Sequence, residues 1–210
     1  MNIIFVNSKK PLDNKRPELF IVAGPNGAGK TTITQTLLKH AWAEDSLYIN
    51  PDDIALNMFG DWNSSDAVLE AAKYCQKLRY EALENKQNIV FETVLSSQEK
   101  IDYIRLAIDN GYFVRLFFVS TETPLINASR VAKRFMSGGH SVPIEKIITR
   151  YYKALGNLIQ LLPIVDRCYV YDNSIDNETA KILFRTEQGV VKKIYIETMP
   201  QWAQQILHRD

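Results

Sequence analysis

The chain has 210 residues, enough for one domain with a hydrophobic core and too few for two ordinary ones. Hydrophobic residues make up 46% and charged residues 23%, which excludes disordered, collagen-like and coiled-coil chains. Lys and Arg number 25 against 24 Asp and Glu, a net charge of +1, so no global field draws the protein to nucleic acid or anionic lipid and any polyanion site must be local.

Residues 1–18 are polar, carry Pro11 and Pro17, and offer only Ile3 to Val6 as an apolar run, too short for a secretory signal; they read as an arm outside the core. From Leu19, apolar runs alternate with helical patterns: LFIVAG and a helix from Lys30, LYIN and a helix from Pro51, then NIVFET, YFVRLFFVS and RCYVYDN. That alternation predicts right-handed βαβ crossovers and an α/β fold, a parallel sheet covered on both faces. Val68, Ala71, Ala72, Cys75, Leu78 and Ala82 share a helical stripe, and Asn50-Pro51 and Thr123-Pro124 each read as an N-cap followed by proline. Past Asn173, AKILFRTEQGVVKKIYIE predicts a β-hairpin turning near Gln188-Gly189, followed by a short helix with Trp202, Ile206 and Leu207. The division is an arm over 1–18, a core over 19–173 and a C-terminal hairpin and helix over 174–210 packed on it as a single domain. Cys75 and Cys168 form no C-x-x-C or Cys/His cluster and read as core residues, and no stretch approaches the roughly 20 apolar residues of a membrane helix. A soluble protein of the reducing cytoplasm, with no membrane partner, is expected.

GPNGAGKT, from Gly24 to Thr31, matches G-x-x-x-x-G-K-[ST] between a buried strand and a helix. Gly24, Gly27 and Gly29 let the backbone curl so that its N–H groups face phosphate oxygens, aided by the helix N-terminus. Lys30 would reach the β- and γ-phosphates of ATP and the Thr31 hydroxyl would hold Mg²⁺. The cofactor-binding set is Gly24, Pro25, Asn26, Gly27, Ala28, Gly29, Lys30, Thr31 and Thr32. A pyridine-dinucleotide fold is disfavoured because G-x-G-x-x-G is absent.

INPDD places Asp52 in the first turn of a helix, where it would orient an acceptor hydroxyl and take its proton late; on its own, Asp52-Asp53 also suits a plain helix start. Glu92-Thr93 closes the NIVFET strand at the carboxyl end, where open parallel sheets bind ligands, so Glu92 is a candidate for the Mg²⁺ water shell or a substrate hydroxyl, and otherwise the strand's first solvent-facing residue. Arg130 and Arg134 share a helical face, with no acidic residue at four positions either side, just before Gly138-Gly139 and His140. That pattern reads as a lid closing over nucleotide, against the alternative of a solvated basic face. Arg150, Tyr151 and Tyr152 read as packing and surface.

With GPNGAGKTT, INPDD, FETVLSS, SRVAKRFMSGGHSVP, RYYKALGNL and VYDNS in that order, the chain resembles the zeta-toxin family of P-loop kinases, in its short bacterial form, over Leu19 to Asn173. The resemblance implies a three-layer kinase-type fold with a five-stranded parallel sheet and transfer of the ATP γ-phosphate to a hydroxyl, the best-known acceptor being UDP-N-acetylglucosamine. It implies catalytic Lys30, Asp52 and Arg130, with Arg134 as the further arginine, Mg²⁺ on Thr31, Asn173 at the nucleotide, and Asp52, Glu92, Thr93 and His140 toward substrate. An antitoxin protein is among the partners it suggests. Three positions depart from the pattern. The sugar-binding glutamate lands on Gln76, the substrate-side threonine on Val94 and the second lid arginine on His140, leaving a nucleoside, a sugar or NAD as other acceptors. A nucleotide-dependent switch or ATPase is the reading outside small-molecule kinases; nucleic acid is not expected, for want of a basic, aromatic-bearing tract.

Overall fold

The computed structural model describes residues 16–59, 65–136 and 142–207. Strand β1 (Glu18–Ala23) is buried along its whole length, as ELFIVA dictates for a strand covered on both faces. It lies at the centre of the sheet, parallel to β3 (Ile89–Thr93) with Val22 beside Glu92 and Ala23 beside Thr93, and parallel to β4 (Phe113–Ser120) on its other side. Strand β2 (Leu47–Ile49) flanks β3 and β5 (Arg167–Asp172) flanks β4, giving the parallel order β2-β3-β1-β4-β5. Chain leaving β1 goes to β2 on one side while chain leaving β3 crosses to β4 on the other, so a crevice opens over the carboxyl end of β1, where ligands bind in such sheets.

The two faces are covered unequally. Leu19 and Ile21 point into the larger core with helices α3 (Ser65–Glu84), α4 (Gln98–Asp109) and α6 (Ile144–Leu161), whereas Phe20 and Val22 point into a smaller one with Leu37 of α1 (Lys30–Leu38) and Ala43 of the 3-10 turn Ala41–Ala43. Helix α2 (Pro51–Phe59) packs on α3, and α5 (Pro124–Met136) on α6.

The stripe expected on α3 is rotated. Ala67, Ala71, Cys75, Arg79, Ala82 and Leu83 are buried and Ala72 is exposed. Arg79 takes the inner place because its guanidinium lies over the rings of Phe91 and Tyr103, 5.4 and 5.6 Å away, and donates to Glu99 at 3.2 Å.

Among the described residues the sheet has seven strands rather than five. The predicted hairpin, β6 (Lys181–Glu187) and β7 (Val190–Ile194), turns through Gln188 and Gly189 in left-handed backbone and pairs antiparallel along β5, extending the sheet instead of packing on it as a separate element. The unpaired edge of β5 is thereby satisfied. Helix α7 (Gln201–Leu207) returns to the larger core, where buried Trp202 donates from Nε1 to Asp172 at 2.9 Å. No helix among the described residues is long and apolar enough to cross a membrane.

Trp202→Phe keeps an aromatic ring in the core and removes the bond to a carboxylate, so it should lower stability by about 1.5–3 kcal/mol. The melt should stay a single transition. A melting temperature equal to wild type would show that the indole contributes packing alone.

Candidate active site

The G-x-x-x-x-G-K-[ST] segment forms the turn between β1 and α1. Gly29 caps α1 in left-handed backbone at φ 94°, and Gly27, also left-handed at φ 76°, lies so near α5 that a Cβ there would sit 2.7 Å from the Asn127 carbonyl. Among the described residues, the N–H groups of Asn26, Gly27 and Gly29 meet no backbone acceptor, which leaves them for an anion.

A loop that turns its N–H groups inward must find donors for its carbonyls outside, and the chain supplies them from three directions. The Lys30 ammonium donates to the carbonyls of Gly24 and Pro25, both at 3.0 Å. Asn127 Nδ2 donates to Asn26 at 2.6 Å, with its Oδ1 held by the Thr121 hydroxyl. Asn173 Nδ2 donates to Ala28 at 2.9 Å, and an Arg130 Nη1 to Gly27 at 3.5 Å. Asn173 therefore braces the loop from the end of β5. Asn127 was not singled out in the sequence; its only signal there is a polar residue on the inner face of α5.

Two acidic residues border the cradle. Glu92, at the end of β3, accepts from the Thr31 hydroxyl at 3.4 Å on one oxygen and from the Tyr48 hydroxyl at 3.3 Å on the other. Asp52 is exposed in the first turn of α2, and its charge acts on Lys30, as does that of Glu92. Asn50 caps α2 as expected, accepting the Asp52 N–H at 3.0 Å. Burial and the neighbouring Asp52 raise the Asp53 carboxyl above its ordinary range.

Thr93 is buried and its hydroxyl accepts the Leu95 N–H at 3.0 Å, supporting a left-handed turn at Leu95 after β3. Thr32 is exposed on α1. His140 and the Gly138-Gly139 pair lie outside the described residues.

The cations come from α5 and α6. Arg130 finds its partner on the loop after β5: it donates to Asp176 at 2.8 Å and to the Asn173 carbonyl at 2.8 Å. The bond from Arg130 and its charge, helped by Lys133, hold the exposed Asp176 carboxyl below its ordinary range. Arg134 is exposed and has no ion-pair partner among the described residues, yet its charge acts on Lys30. Arg150, read from the sequence as packing or surface, instead faces the cradle, donating to Asn26 Oδ1 at 3.4 Å and acting on Lys30. Tyr151 does pack, donating to the Thr121 carbonyl at 2.6 Å. Burial, reinforced by Arg134 and Arg150, lowers Lys30 to about 8 against the pull of Glu92 and Asp52.

The family model for zeta toxin matches residues 5–182. The chain belongs to the zeta toxin family. Among solved structures, this zeta toxin family chain is similar to one from the PezAT chromosomal toxin–antitoxin system of Streptococcus pneumoniae, with 18% identity over 92% of this chain and 84% of that one and a TM-score of 0.62. A chain from the AvrRxo1-ORF1:ORF2 structure with ATP shares 18% identity over 90% of this chain and 62% of that one, with a TM-score of 0.63. At these identities the likeness is one of fold, the P-loop kinase type. An uncharacterised protein of Haemophilus influenzae is 27% identical over 130 residues, 61% of this chain and 88% of its own length.

A phosphate group beside Lys30 favours its charged form, so with Lys30 near 8 nucleotide binding should take up a proton in that fraction of molecules whose lysine is neutral. At pH 8, ADP binding should take up about half a proton, falling toward zero near pH 6.5, while affinity declines as pH rises above 8. Calorimetry in buffers of different ionisation enthalpy reads this directly. Uptake that persists in Lys30→Met would assign it to another group.

Proposed function

We propose that this protein is an ATP- and Mg²⁺-dependent kinase of the cytoplasm that transfers the γ-phosphate to a hydroxyl of a small metabolite, with a nucleotide sugar such as UDP-N-acetylglucosamine as the first acceptor to try. The observation that carries this reading is the meeting of Thr31 and Glu92 at 3.4 Å beside Lys30, on a loop whose other carbonyls are already bonded. A passive anion cradle has no use for a carboxylate against its own hydroxyl. A hydroxyl and a carboxylate are hard oxygen donors and suit Mg²⁺; no cluster of three or more His, Cys, Asp or Glu that could hold a metal occurs among the described residues, so most of its ligands would be phosphate oxygens and water. Mg²⁺ bound there would neutralise charge on the phosphates.

The chain's own groups do the rest. Lys30 leaves the Gly24 and Pro25 carbonyls for the phosphate oxygens, while Arg134 and Arg150 supply positive charge against the negative charge spread over the oxygens of the transferring phosphoryl group. Asp52 orients the acceptor hydroxyl as its oxygen bonds to the γ-phosphorus and the bond to the leaving ADP breaks, and it takes the proton late. Arg130 braces the loop from the side of Asn173. An antitoxin partner is supported by the fold shared with a toxin–antitoxin chain.

The test is incubation with ATP, Mg²⁺ and either UDP-N-acetylglucosamine or a small-molecule extract, followed by mass spectrometry for a compound gaining one phosphate. Should none appear while ATP turnover ignores the extract, a switch or ATPase is the better reading. Asp52→Asn keeps the helix start and should retain ATP binding while transfer falls ~100-fold or more; unchanged transfer would return Asp52 to a helix-start role.

The two arginines of α5 should separate. Arg134→Ala should leave the melting temperature unchanged and cut turnover ~100-fold or more, whereas Arg130→Ala should lower both, because Arg130 also serves the Asn173 and Gly27 carbonyls. Normal turnover in folded Arg134→Ala would remove that residue from the mechanism.

A further inference from the structure

Strand β2 is three residues long and, among the described residues, pairs only with β3, Tyr48 opposite Val90. Side chains alternate along it, so Ile49 enters the larger core while the Tyr48 ring joins Phe20, Val22 and Val90 in the smaller one, near Ile33 and Leu37 of α1. An edge strand in this position needs only an apolar, β-forming residue. The hydroxyl is therefore surplus to packing, and its bonds show where it acts.

Tyr48 donates to Glu92 Oε1 at 3.3 Å and accepts from Asn50 Nδ2 at 3.1 Å. The other Glu92 oxygen faces the Thr31 hydroxyl at 3.4 Å, and Asn50 Oδ1 caps the Asp52 N–H at 3.0 Å. One phenol thus joins the carboxylate beside the phosphate cradle to the cap that starts α2. A glutamate at a sheet end turns freely about its side-chain bonds; a donor fixed to one oxygen leaves the other aimed at Thr31.

We propose that Tyr48 is a positioning residue that holds the Glu92 carboxylate toward Thr31 and couples it, through Asn50, to the first turn of α2 where Asp52 sits. This rests on the phosphoryl-transfer reading above, in which Thr31 and Glu92 meet Mg²⁺. It places Tyr48, rather than a further acidic residue, behind the metal side of the site.

Tyr48→Phe keeps the ring and removes only the hydroxyl. ADP affinity with Mg²⁺ should fall ~10-fold, in the range seen when a group orienting a metal ligand is lost, while ADP affinity in EDTA stays at the wild-type value. In a Glu92→Gln background the same substitution should add less than about twofold, since its effect runs through Glu92. With an acceptor in hand, kcat should drop ~10-fold at unchanged acceptor KM. Equal Mg²⁺-linked ADP affinity in Tyr48→Phe and wild type overturns the proposal, as does a full additional loss in the Glu92→Gln background. If the wild type phosphorylates nothing, the kinase reading fails while the ADP measurements still decide the role of Tyr48.

Discussion

The arrangement depends on how the carbonyls of the phosphate loop are satisfied. Turning successive N–H groups toward an anion leaves the carbonyls of Gly24, Pro25, Asn26, Gly27 and Ala28 pointing the other way, and an unpaired carbonyl in a half-buried loop is costly. Each has a side-chain donor: Lys30 from α1, Asn127 and Arg130 from α5, Asn173 from the end of β5. The donors lie 5 to 145 residues away in sequence. The loop is therefore rigid only when β1, α1, α5 and β5 are all in place, and the site is a property of the whole sheet.

Charge is divided accordingly. Helices α5 and α6 bring Arg130, Arg134 and Arg150, while the ends of β3 and the start of α2 bring Glu92 and Asp52, with Lys30 between the two groups and acted on by both. A half-buried lysine among cations is held below its ordinary protonation range, so without an anion the site works against its own charge. Arg130 is partly relieved by Asp176, an exposed partner of small energetic value. Arg134 has no such relief among the described residues. The least compensated charges are thus those nearest Lys30, where a polyphosphate would sit.

The parallel sheet and the cradle were legible in the sequence because their signals are contiguous: apolar runs for β1, β3, β4 and β5, and eight residues in a row for the loop. Asn50-Pro51 was equally readable, since a cap and its helix are neighbours. What escaped is paired over distance. Arg150 reads as one basic residue among several on α6, and nothing near it in the chain reveals Asn26, 124 residues away. Arg79 has no place in the apolar stripe read for α3, and only the rings of Phe91 and Tyr103 under its guanidinium explain its inner position. The hairpin was readable, but not that β5 lacked an outer neighbour, which only the strand order β4-β5-β6 discloses.

The same reasoning explains why phosphate handling is better specified than the acceptor. The loop between β1 and α1 is fixed twice, once by its own sequence and once by side chains bonded to its carbonyls, as with Lys30, Arg130 and Asn173. On the acceptor side, Gln76 is exposed on α3, and the buried Thr93 hydroxyl accepts the Leu95 N–H of the turn after β3. Specificity for a hydroxylated acceptor comes from buried polar groups that lose their partner when the wrong molecule binds. The fixed polar groups of this crevice serve the loop between β1 and α1, with Asp52 exposed in the first turn of α2. The chain thus fixes the glycine-rich loop more tightly than the rim on the side of Asp52.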